Sequence, residues 1–319
     1  MPLPDPQVLC VGETMALVAP DGSVPLADAR SVHLTSAGAE SNVARHLADL
    51  GVPTAWLSAL GTDPLGDRVL ADLAGNGVDL RWVTRRSDAP TGVFFKDPSP
   101  KGTRVLYYRA GSAASRLAPD DVGGWPLARA RWVHVTGITP ALSASCADMV
   151  QTLLAGARRH RLGVSFDVNH RPALWHDGDA PGVLRGLADR ADVVLVGRDE
   201  AERLWDTRTA EDVADLLPTP SRIVVKDADR EAVEIDRTAE GTIVTHVPAR
   251  RVDVVEPVGA GDAFAGGYLA ALLRGDGPAK RLAMGHSLAA WTLGTTADYR
   301  GGHGSMPHAA EDNRMERTR

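Results

Sequence analysis

From Trp132 onward, short apolar runs alternate with stretches of helical pattern, and this rhythm constrains the fold more than any other feature of the chain. The runs are 132–135, 163–167, 193–196 and 223–226. Strands separated by helices in this way build a parallel sheet flanked by helices. Each run ends in polar residues: Val135 leads into Thr136-Gly137, Phe166 into Asp167, and Val196 into Gly197-Arg198-Asp199-Glu200. In open α/β sheets ligands bind beyond the carboxyl ends of the strands, so the functional groups are expected along that edge.

The first part of the chain has a different pattern. Residues 8–11 and 55–58 read as buried strands. A helix begins near Ser41, with Val43, Leu47 and Leu50 on one face and Gly51 closing it. A second helix spans 67–76 with Gly77 just after it. Residues 16–18 and 32–34 are extended, and 93–95 and 105–108 form a hairpin joined by the turn-rich segment 97–102. These β segments do not fit the βα rhythm. They predict a small accessory sheet or lid, built from about 12–37 and 90–112, within one domain covering 1–301. The segment 302–319 reads as a polar tail.

At 319 residues the chain can bury a large core without staples. A net charge of −6 argues against a nucleic-acid binder held by overall attraction to phosphate. The two cysteines, Cys10 and Cys146, read as buried free thiols and fit a reducing, cytoplasmic setting. Residues 1–7 have no signal-peptide pattern, and no apolar run is long enough to span a bilayer.

The most informative stretch is Val254-Val255-Glu256-Pro257-Val258-Gly259-Ala260-Gly261-Asp262-Ala263-Phe264. An apolar strand is expected to lead into a Gly-Ala-Gly turn that opens a helix running to about Leu273. Small residues let backbone amides point inward, and a helix N-terminus adds unpaired donors and partial positive charge. Gly259, Ala260 and Gly261 therefore form a candidate anion hole for a phosphoryl group. Asp262 falls in the first helical turn, where a carboxylate fits either an N-cap or a general base beside that hole.

These residues resemble the C-terminal signature of the ribokinase-like (PfkB) carbohydrate kinases. The N-terminal signature is matched by Ala37-Gly38-Ala39-Glu40-Ser41-Asn42-Val43-Ala44, with Gly51, Gly61, Asp63 and Gly66 following. The resemblance implies an α/β three-layer fold with a mostly parallel central sheet and a small β-sheet lid. Within the family, four segments are similar to those of 2-keto-3-deoxygluconate kinases: 12–15, 107–115, 136–142 and 167–175. It implies that Gly38, Asn42, Tyr107, Arg109 and Arg171 bind a sugar acid, with guanidinium forks matching a carboxylate. It implies Asp262 as catalytic base, and ATP and Mg²⁺ as co-substrate and cofactor.

For the nucleotide, the resemblance points to Asp199, Lys226 and His286. The family's Asn-x-x-Glu is matched by Asp199-Glu200-Ala201-Glu202, which assigns Glu202 to the metal. On residue type alone, the same segment is a solvated helix start and His286 a helix-surface histidine. Ala228 and Glu231 stand where the family's nucleotide loop carries glycines, and Glu256 replaces the Asp tied to a monovalent cation site in several relatives. The chain lacks a Gly-x-Gly-x-x-Gly after its first strand, which argues against a dinucleotide-dependent oxidoreductase. The remaining alternatives are another sugar kinase of the family, of fructokinase or ribokinase type, and a non-catalytic sugar- or nucleotide-binding relative. An exposed lid edge favours a homo-oligomer.

Overall fold

The computed structural model describes residues 4–22, 24–100, 102–175, 179–254, 256–295 and 299. In chain order, β1 (Val8–Val11) is followed by β2 (Met15–Pro20), β3 (Val32–Ala37), α1 (Ala39–Asp49), β4 (Thr54–Leu57) and the short β5 (Ala59–Gly61). Next come α2 (Pro64–Gly75), β6 (Thr84–Arg86), β7 (Val93–Asp97), β8 (Arg104–Tyr108) and the short α3 (Pro119–Val122). The alternating half consists of β9 (Trp132–Thr136), α4 (Ala144–His160), β10 (Gly163–Asp167), α5 (Ala180–Ala188), β11 (Val193–Gly197), α6 (Arg198–Trp205), α7 (Ala210–Leu216) and β12 (Arg222–Asp227). A hairpin of β13 (Glu231–Thr238) and β14 (Gly241–Pro248) then leads to α8 (Ala260–Leu273) and α9 (Pro278–Leu293).

The main sheet has eight strands in the order β14-β13-β12-β11-β10-β9-β1-β4. It is parallel from β4 to β12, and antiparallel where β13 pairs with β12 and β14. Alternation along each strand sends side chains to both faces. Leu9, Val133, Val194 and Ile223 join the core under α4, α5, α6 and α7. Val8, Cys10, Leu195 and Val224 join a second core under α1, α2, α8 and α9. A sheet covered on both faces requires strands that are apolar on both sides, which is why the central strands read as continuous apolar runs.

The second sheet has the order β3-β2-β7-β8. β2 and β7 run parallel, with antiparallel partners on either side. Its small core is Met15, Leu17, Ala37 and Phe94. Where this sheet meets the main body, Gly38 is forced by close approach. A Cβ there would lie 2.2 Å from the Glu13 carbonyl oxygen.

Three features differ from expectation. The segment 251–254 forms no strand, and its Val252 and Val254 are exposed. The hairpin of β13 and β14, and the short parallel pair of β5 and β6, lie outside the expected strands, their apolar residues being interrupted by charged and polar ones or confined to three positions. In β13 the reason is that Glu234 and Asp236 are buried in the strand and paired with Arg281 of α9. Charges that would mark a solvated segment are here satisfied inside the fold. The expected polar tail lies outside the described residues.

Candidate active site

A cavity of about 1190 Å³ lies between the lid and the carboxyl edge of the main sheet. Strand ends, the lid's inner face and the start of α8 all contribute to its wall. It is the place the polar strand ends predict.

The floor is the start of α8. Gly259 caps this helix with φ +86°, in the left-handed region that glycine adopts without strain. The amides of a helix's first turn have no intrahelical acceptor. Of these, Ala260 turns back to the Pro257 carbonyl at 3.4 Å. The rest of α8, from Ala263 to Ala271, is buried, and it packs against α1 and α9. An all-round apolar helix is locked in position, so its N-terminus is a rigid platform.

Asp262 sits two residues inside that helix rather than at the cap. Its carboxylate accepts a hydrogen bond from Asn42 Nδ2 at 2.9 Å. Asn42 comes from α1 and is buried, so two elements from opposite ends of the chain fix the carboxylate. Both residues line the cavity.

Lys226, at the end of β12, reaches beneath the same turn. Its ammonium lies 3.8 Å from where a Cβ on Gly261 would stand. It donates to Asp167 Oδ2 at 2.9 Å. Burial alone would lower its pKa, but Asp167 and Glu200 more than offset this and hold it above the ordinary lysine value. The site thus keeps a fixed positive charge beside the amides of α8.

Glu200 was not assigned a role by sequence, whereas Glu202 was. The Glu202 side chain is half exposed and pairs with Arg198 at 3.2 Å, off the cavity wall. Glu200 lines the cavity and accepts from the Gly197 amide at 2.9 Å and the His170 amide at 3.0 Å. Burial and the neighbouring Asp167 raise its pKa, with Lys226 opposing. The structure thus brings Glu200, and not Glu202, to the cavity wall. The motif spacing points two residues further along α6, to a side chain on another face of the helix.

The other predicted residues divide clearly. Gly38, Tyr107, Arg109, Arg171, Asp199 and His286 all line the cavity. Arg109 is largely buried, pairs with Glu13 and lies over the Tyr107 ring at 5.6 Å. Glu13 also accepts from Ser112 at 2.5 Å, so the guanidinium is held from behind. Arg171 is exposed at the rim, with Nη1 on the His170 carbonyl at 3.3 Å. Asp199 faces the cavity while pairing with Arg203. His286 is buried rather than on the helix surface. It contacts the Val247 carbonyl at 3.0 Å and stands edge-on to Phe264.

Sequence reasoning also missed Asn169, which lines the cavity at φ +38° with a buried Oδ1 that has no hydrogen-bond partner among the described residues. It lies in the 167–175 segment, two residues past Asp167 at the end of β10, and that position was its available signal. Among the described residues no cluster of three acidic, histidine or cysteine side chains could hold a metal. Magnesium, however, keeps several waters and is usually bound by one or two carboxylates together with substrate phosphates. Asp167, whose buried Oδ1 has no hydrogen-bond partner among the described residues, and Glu200 fit that pattern.

The chain is similar to known sugar-acid kinases over most of its length. The chain is 33% identical to a 2-dehydro-3-deoxygalactonokinase of Haloferax volcanii, over 89% of this chain and 90% of that protein. It is 37% identical to a 2-dehydro-3-deoxygluconokinase of Bacillus subtilis, over 83% and 82%. Among solved structures, a PfkB protein from Polaromonas sp. JS666 superposes with a TM-score of 0.81 at 36% identity, covering 89% of this chain and 94% of that one. A fructokinase with bound ATP from Xylella fastidiosa gives 0.78 at 26% identity, covering 94% of each. A family model for pfkB family carbohydrate kinases matches residues 5–301, so the chain belongs to that family of sugar-phosphorylating enzymes.

Proposed function

We propose that the protein transfers the γ-phosphoryl group of ATP to the primary hydroxyl of 2-keto-3-deoxygluconate, giving 2-keto-3-deoxy-6-phosphogluconate. The observation that carries this is the placement of Asp262 at the N-terminus of α8, fixed by Asn42, in a cavity that Arg109 enters from the lid side. The carboxylate end of the sugar acid is held by Arg109 and Arg171, against Tyr107 and Gly38. Asp262 accepts the hydroxyl proton as the new O–P bond forms and the bond to ADP breaks. The first-turn amides around Gly259 to Gly261, together with Lys226, stabilise charge on the transferred group. Bound Mg²⁺, near Asp167 and Glu200, supplies charge neutralisation on the phosphates. The lid excludes water from the reacting groups.

ATP lies along the sheet edge in this reading, near Asp199, Lys226 and His286. A homo-oligomer, dimer or higher, joined through the lid is also proposed, supported by the exposed Val32 and Tyr108 on its edge strands.

The relative from Haloferax favours a second reading, in which the C4 epimer 2-keto-3-deoxygalactonate is the acceptor. ADP release measured side by side on both epimers, gluconate, fructose and ribose separates these. Preference for the gluconate-derived keto acid is the expected result. Preference for its epimer selects the second reading, preference for a neutral sugar removes the carboxylate role of the arginines, and no ADP release on any sugar removes catalysis.

A further inference from the structure

Lys96 is an unusual residue to find on the inner face of a small lid. Along β7, burial alternates so that Phe94 and Lys96 point inward while Val93, Phe95 and Asp97 are half exposed. Lys96 is 4% exposed and lines the cavity. A buried ammonium requires a compensating charge. Glu256 provides one: its Oε2 lies 3.8 Å from Lys96 Nζ, and its side chain is also largely buried.

Glu256 belongs to the other side of the cavity. It stands three residues before Gly259, the residue that caps α8. Its amide donates to the Leu293 carbonyl at the end of α9 at 3.5 Å, and its Oε1 accepts from the Val258 amide at 3.4 Å. One carboxylate therefore touches the lid through one oxygen and the approach to the catalytic turn through the other. The longer glutamate side chain spans both contacts.

We propose that Lys96 and Glu256 form a clasp that sets the closed lid in register with the segment carrying Gly259 to Asp262. Both are positioning residues. With the lid raised the two charges separate, and the turn loses its brace. With the lid down the pair fixes the turn at the moment water is excluded. The link makes phosphoryl transfer conditional on closure, which suppresses transfer to water. This inference rests on the kinase reading of the cavity.

A double-mutant cycle tests it, using the full chain, ATP and 2-keto-3-deoxygluconate. Lys96→Met and Glu256→Gln are each expected to lower kcat by about ten- to a hundredfold, as small misplacements of reacting groups do, with little change in KM for the sugar acid. Each should also increase, several-fold, the fraction of ATP hydrolysed without acceptor. The double variant should be no slower than the slower single variant, because the contact is already lost. Independent, multiplying losses would overturn the clasp. So would a raised KM in Lys96→Met with Glu256→Gln unaffected, since Lys96 would then be a substrate ligand. If Lys96→Met does not fold, Glu256→Gln alone decides: unchanged coupling of ATP use to sugar phosphorylation overturns the proposal. No ADP release by the wild-type chain on any of the sugars would instead remove the kinase reading beneath it, so the two failures are distinguishable.

Discussion

Ala228 shows at the residue scale how a departure from the family pattern can leave geometry intact. It stands where the resemblance expects a glycine of the nucleotide loop, and it holds φ +44°, in the left-handed region that glycine adopts without strain. A side chain in that region costs roughly 1–2 kcal/mol. Ala228→Gly should therefore stabilise the protein by up to about 1 kcal/mol, after part of the gain is lost to the greater entropy of the unfolded chain. The midpoint of urea unfolding checks this. KM for ATP should stay within about twofold, because the backbone path is already present. The same scale marks the limit of what could be read from sequence. Asp262 stood out because a carboxylate beside small residues at a helix start is chemically pointed, although residue type alone fits an N-cap as well and it is the family resemblance that implies the base. Asn169 did not stand out, since its residue type is unremarkable and its one signal was its place just past the end of β10.

The limit at the scale of elements is rotational. Glu200 and Glu202 are both acids near the start of α6, and two residues along a helix turn a side chain by about 200°. Spacing alone could not choose between them; packing does, by directing Glu200 to the backbone amides of Gly197 and His170. Glu200→Gln is expected to lower kcat/KM for ATP at least about tenfold, because a buried carboxylate beside the proposed phosphate site is lost. Glu202→Gln, which removes only an exposed pair, should stay within about twofold. Equal effects, or the reverse order, would return the role to Glu202. The central parallel strands were readable because burial on both faces leaves them apolar throughout. The antiparallel β13 was hidden because Arg281 neutralises its buried acids. That partner lies in α9, far along the chain.

For the whole molecule, stability and activity place different demands on pH. His134 is fully buried in β9, and burial depresses its pKa to about 4. In the unfolded chain it titrates near 6.5, so between those values the unfolded state binds a proton that the folded state refuses. The associated stability is complete above about pH 6.5 and is lost as pH falls towards 4, amounting to roughly 3 kcal/mol. Thermal unfolding at stepped pH should show that loss, and His134→Gln should reduce its slope in the same window. An unchanged slope would assign acid sensitivity to other groups. The main sheet and the four-stranded sheet enclose one cavity together with α1 and α8, and in the proposed reaction phosphoryl transfer depends on Asp262, which lines it. Single-turnover transfer from ATP to 2-keto-3-deoxygluconate by Asp262→Asn tests that most directly. A fall of about 10²–10⁴-fold with an unchanged melting temperature is the expected result. Transfer at the wild-type rate by the folded variant would mean that another group takes the proton.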